Sequence, residues 1–128
     1  MLRIVEIHPA QEASGEYIVL QNQGVVSINL QGWAVSTEVY LQGGSEGYSQ
    51  NIYVFKSEVM ISPYTHIVLF TGKGKEGWMP TNDGKRAYCA YWERNESIWN
   101  HSSKIHLLQM TSTKPIDVPV TLPMPLSA

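Results

Sequence analysis

EYIVLQNQGVVSINLQGW, residues 16–33, holds two strand signatures and the turn between them. Ile18 and Leu20 alternate with Val19 and Gln21, the period of a strand with two unlike faces. Asn22-Gln23-Gly24 follows, a run tolerant of unusual backbone angles, and predicts a turn. Beyond it, Trp33 and Val35 alternate with Ala34 and Ser36, which sets a large ring on one side of a second strand. Strand, turn and Trp-anchored partner make a hydrophobic nucleus that contains no chemically reactive group.

The same pattern repeats to either side. Leu2 to Ile7 reads as a strand ended by His8-Pro9, since proline restricts the residue before it and has no N–H for a ladder. Downstream, Ile52 to Phe55, Glu58 to Ile61 and Tyr88 to Trp92 have strand character. So do Lys104 to Met110 and Ile116 to Val120, while His66 to Thr71 is β-branched and aromatic enough for a central strand. Gln42 to Gln50 is a glycine-rich connection expected to be exposed and mobile. Gly72 to Arg86 holds five glycines or prolines and four of the nine basic residues, and reads as too long and irregular for a tight hairpin. No segment keeps apolar residues at i, i+3, i+4 and i+7 for three turns, so helices are not expected. Short strands at near-regular spacing point to a sandwich or barrel.

The totals narrow the class. A chain of 128 residues with 43% hydrophobic and 16% charged residues is one globular domain with a thinly charged surface. A net charge of −2 gives no global pull toward nucleic acid or anionic membrane. The lone Cys89 rules out an internal disulfide and fits a reducing compartment. MLRIVEIHPA is interrupted by Arg3, Glu6 and His8 and lacks a secretory pattern, so the chain as written is expected in the cytoplasm, or exported if it is part of a longer one.

Glu16-Tyr17-Ile18 with Leu20 and Asn22, then Leu30-Gln31-Gly32-Trp33, resembles the opening of the lamin-tail domain. That is the immunoglobulin-like β-sandwich of nuclear lamins, also found in many bacterial proteins. The likeness continues at Tyr53-Val54-Phe55, at Ile61-Ser62-Pro63 leading into Ile67-Val68-Leu69-Phe70, at Ile98-Trp99-Asn100 and at Ile105-His106-Leu107-Leu108. Order and spacing carry it, over nearly the whole chain. The resemblance implies an all-β immunoglobulin-like sandwich over residues 1–118; the prolines of residues 119–128 mark an extended tail beyond it. It also implies a non-catalytic module without cofactor that contacts proteins, DNA or surfaces. Asn100 is similar to the family's Trp-Asn turn, where Asn tolerates left-handed angles. The chain departs from the pattern after Leu108, where Thr111-Ser112-Thr113-Lys114 replaces a glycine-containing turn.

Several motifs are coincidental. Gly72-Lys73-Gly74-Lys75-Glu76-Gly77 matches a dinucleotide pattern, but Trp78-Met79-Pro80 cannot open the helix that would hold a pyrophosphate. Gly43-Gly44-Ser45-Glu46-Gly47 matches a nucleophile elbow in a context without helices. Asn95-Glu96-Ser97 fits the glycosylation pattern without a signal peptide. His8, His66, His101 and His106 show no zinc-ligand spacing, and no metal is expected. Among the acids Glu6, Glu16, Asp83, Glu93 and Glu96 nothing in the sequence pairs any two. Glu16 reads as an acid at a strand start, able to bond backbone or a nearby base. Trp33, Trp92, Trp99, Tyr17, Tyr53 and Phe55 are expected in the core rather than as a carbohydrate platform.

The candidate functional surface is Lys73, Lys75, Trp78, Lys85 and Arg86, basic residues around one aromatic in a long loop. The expected function is a non-catalytic interaction module for a protein partner or a second copy, using an exposed strand edge or the apolar tail Val118 to Leu126. The alternative is nucleic-acid binding by residues 72–86, with phosphates on the lysines and a base on the indole. A second alternative, a hydrolase, requires two acids or histidines converging on one point.

Overall fold

A computed structural model describes residues 1–38, 51–100 and 104–110. Among the described residues ten strands run in chain order: β1 (Leu2–His8), β2 (Tyr17–Asn22), β3 (Ile28–Asn29), β4 (Trp33–Thr37), β5 (Ile52–Val54), β6 (Met60–Ile61), β7 (His66–Phe70), β8 (Gly77–Pro80), β9 (Arg86–Tyr91) and β10 (Ile105–Gln109). They form a five-stranded sheet ordered β1-β2-β7-β9-β8, a three-stranded sheet ordered β10-β4-β5, and a β3-β6 ribbon. This is the expected all-β, immunoglobulin-like sandwich. Among the described residues no helix is long and apolar enough to cross a membrane.

The alternation in β2 and β7 builds the core. Ile18 pairs with Leu69 and Leu20 with Ile67 in antiparallel register, so four apolar side chains point the same way. All four are buried, and they meet Leu30, Val35, Phe55, Ile61 and Trp99 from the rest of the sandwich. Removal of such side chains from water is the main favourable term, about 2 kcal/mol for each. Trp33 is half-buried and packs on the flank of this cluster rather than at its centre.

Two buried polar residues tie the layers together. The Glu16 carboxylate is fully buried. Its Oε1 accepts from Thr71 Oγ1 and from the Ile98 N–H, both at 2.7 Å, and its Oε2 accepts from the Trp99 N–H at 3.2 Å. The segment 95–100 is thereby pulled inward, carrying Ile98 and Trp99 into the core. Its partners are backbone and a hydroxyl, not a base. Asn22 Nδ2 donates to the carbonyls of Val26 and Ile61, both at 2.9 Å, and Oδ1 accepts from the Gly24 N–H at 3.0 Å, fixing the turn after β2.

Three expectations are corrected. First, residues 72–86 are not an irregular loop: β8 pairs antiparallel with β9 across a turn, and β9 then lies parallel to β7. Second, Tyr17 is not in the core. His8, Tyr17, Phe70 and Tyr91 are register partners across four adjacent strands on the outer face of the large sheet. Their ring centroids are 4.6, 5.7 and 4.9 Å apart, and the first and last pairs are nearly parallel. Parallel rings this close lie face to face, so the row turns its edges outward and leaves little open face for a sugar to stack on. The row serves cross-strand packing. Third, Asn100 is not left-handed; the non-glycine residues with positive φ among those described are Tyr64 and Glu93. The expected strand at Ile116 to Val120, the Gln42 to Gln50 loop and the tail lie outside the described residues.

Candidate functional site

The site begins with the turn between β6 and β7. The Thr65 N–H donates to the Ser62 carbonyl, which closes a β-turn with Pro63 second and Tyr64 third. Tyr64 has φ 65°, the conformation that the third position of a type II turn requires and that glycine adopts most cheaply. Two neighbours on β2 hold it there. The Tyr64 N–H donates to the Asn22 carbonyl at 2.6 Å, and Gln21 Nε2 donates to the Tyr64 carbonyl at 3.1 Å. The residue stays 63% exposed.

Opposite this turn stands the β8–β9 hairpin. Trp78 faces Tyr88 across the ladder and meets it edge to face, with centroids 5.3 Å apart. The Arg86 guanidinium carbon lies 4.2 Å from the centroid of the indole. At the hairpin tip Asp83 accepts from the Thr81 hydroxyl and from the Lys85 N–H, and these bonds hold its carboxyl below the usual carboxylate range. Gly84, at φ 79°, supplies the left-handed residue that the turn needs. A groove of about 440 Å³ separates the two features, lined by Met60, Tyr64, His66, Trp78, Lys85 and Arg86 among others.

Of the five residues singled out in the sequence, Trp78, Lys85 and Arg86 share this groove. Lys73 instead lines a broader depression of about 840 Å³ with Glu12, Arg94 and Glu96. Lys75 is exposed on the connecting loop, apart from both. Met60, Tyr64 and His66 escaped sequence reasoning because they lie on the β6–β7 connection, remote in sequence from β8 and β9. The signal that pointed to one of them was Ser62-Pro63-Tyr64, a proline-started turn whose third position holds an aromatic instead of glycine.

The remaining motifs have local accounts. The Gly72 to Gly77 stretch leads into β8, not into a helix, and Gly43 to Gly47 lies outside the described residues. His8 belongs to the aromatic row and His66 to the groove. His106 Nε2 sits 2.6 Å from Glu38 Oε2, and that contact lowers the Glu38 carboxyl. His101 lies outside the described residues. Among the described residues no three His, Cys, Asp or Glu side chains converge in a geometry able to hold a metal ion.

Fold and sequence comparison agree. The Lamin Tail Domain profile matches residues 1–120, and no curated protein matches the chain. With nearly the whole length matched and the sandwich in place, the chain belongs to the lamin-tail domain family, a family of generally non-catalytic, immunoglobulin-like interaction domains.

Proposed function

We propose that this domain is a non-catalytic module that docks a protein, or a second copy of itself, in the groove between Tyr64 and the Trp78–Arg86 pair. The observation that carries this reading is Tyr64. A large ring is held in solvent at a left-handed position that costs about 1–2 kcal/mol for a side chain and nothing for glycine. Folding alone gives no reason for that arrangement, and strained exposed residues concentrate at binding sites. Tyr, Trp and Arg are the types that dominate binding energy at protein interfaces, and Met60, 57% exposed, adds an adaptable apolar contact.

Nucleic acid fits the groove less well. The Trp78 ring is already engaged by Arg86 on its face and by Tyr88, which leaves less of it for a base, and Asp83 sits beside the two cations. A hydrolase needs convergent acid and base groups. Of the groove's ionisable acids and histidines, Asp83 is bonded within its own turn, which leaves His66 without a second group to work with.

Tyr64→Gly separates structure from binding. Folding stability is expected to rise by about 1 kcal/mol, because a left-handed residue no longer carries a side chain. Self-association by sedimentation at two concentrations, or retention of peptides selected from a random library on the wild-type domain, is expected to fall at least about tenfold. Unchanged binding in this variant sinks the reading. Affinity for DNA that drops steeply with salt moves it to the nucleic-acid alternative.

A further inference from the structure

β1 forms the edge of the large sheet opposite β8, and among the described residues only β2 pairs with it. Sheet edges are commonly blunted by brevity, proline or lysine. β8 follows that rule, with four residues ending in Pro80. β1 runs for seven residues and holds neither proline nor lysine. Val5 and Ile7 stand 42% and 49% exposed along it.

The backbone groups on the free side follow from the bonding of β2. The Gln23 N–H donates to the Met1 carbonyl, while the Asn22 N–H and carbonyl bond to Thr65 and Tyr64 on the β7 side. Backbone groups alternate sides along an antiparallel strand, so Leu2 and Ile4, opposite Asn22 and Leu20, turn theirs away from β2. The register then slips, and Val5 is an extra residue without a partner on β2. Beyond this bulge Ile7, opposite Ile18, resumes the outward position. The bulge also resets the faces. Leu2, Ile4 and Ile7 share the inner face with Ile18 and Leu20, and Arg3 and Glu6 share the outer one. Arg3 and Glu6 are both exposed, and the ion pair present among the described residues, His106 with Glu38, involves neither.

We propose that β1 pairs antiparallel with β1 of a second copy, about a two-fold axis that passes between Ile4 and Val5. In this register Arg3 lies opposite Glu6 of the second copy, and Glu6 opposite its Arg3. Both pairs stand on the outer face at positions whose backbone bonds to β2, where facing side chains come closest. Leu2 meets Ile7 of the second copy on the inner face, and their outward N–H and C=O groups exchange hydrogen bonds. An unrelated regular strand falls out of step at Val5. A second β1 carries the same extra residue at the symmetry-related place, so a bulge that turns away other strands admits its own kind. The surface is self-complementary, as a closed dimer requires. β1 lines no part of the Tyr64 groove, and this pairing does not depend on what that groove docks.

Sedimentation equilibrium of the full chain, with amide hydrogen exchange, tests it. A monomer–dimer equilibrium is expected, with exchange at the Ile7 amide slowing as concentration rises. Arg3→Glu and Glu6→Arg are each expected to weaken the dimer at least about tenfold by setting like charges opposite, and the double variant to restore it to within about threefold. Both side chains are exposed, so the thermal midpoint of dilute protein is expected to stay unchanged in all three. Association lost in Tyr64→Gly but kept in both single variants belongs to the groove and overturns the proposal. So does a monomer at every concentration, or a double variant no tighter than the single ones. Ile7 protection that ignores concentration also overturns it, since another segment of the same chain then covers this edge.

Discussion

Glu16 illustrates how one side chain joins distant parts of the chain. It sits at the first bend into β2, and its acceptors reach Thr71, Ile98 and Trp99. Glu16→Gln keeps the volume but turns one acceptor into a donor, which then opposes an N–H. A loss of about 2–3 kcal/mol is expected in urea unfolding, the scale of a buried donor left without its charged partner. The sequence showed an acid able to bond backbone at a strand start; it did not show which backbone, because the donors lie 82 and 83 positions away. Tyr88 gives a pH test at the same scale. Burial, with Glu76 beside it, raises the phenol from 10.0 to about 12. The neutral form is therefore favoured in the folded state, so its contribution is complete below the unfolded value and is lost as pH rises through about 12. Phenolate absorbance is expected to show Tyr88 titrating late, and Tyr88→Phe to remove that step.

At the scale of elements, the outer aromatic row ends at Tyr91, and the loop entering β8 rests on it. A Cβ placed at Gly74 would overlap the Tyr91 ring, which cannot retreat because Phe70 stacks on it. Gly74→Ala is expected to cost about 1–2 kcal/mol in chemical denaturation as the loop lifts, with loss of aromatic circular dichroism. An unchanged unfolding midpoint would show that the loop is free of the ring. Strands were legible where apolar and polar residues alternated, as in β2, or where β-branched and aromatic residues ran together, as in β7. The β8–β9 hairpin was not, because Gly77 and Pro80 carry turn composition into a paired strand, and pairing with β9 outweighs it.

At the scale of the molecule, layers and core composition could be read from periodicity, but strand order could not. Neighbours in sequence suggest a β7-β8-β9 meander, whereas β9 inserts between the other two and runs parallel to β7. That insertion carries Trp78, Lys85 and Arg86 to the β6–β7 turn, so a groove built from that turn and the β8–β9 hairpin was invisible in either stretch alone. The wide reach of Glu16 has a further consequence for vectorial synthesis. A ribosome delivers this carboxylate long before it delivers residues 98 and 99, so the nascent amino-terminal hairpin carries a charge it cannot yet shelter. Closure of the sandwich around Glu16 has to wait for residues 98 and 99, and until then its apolar inner faces stay open to water.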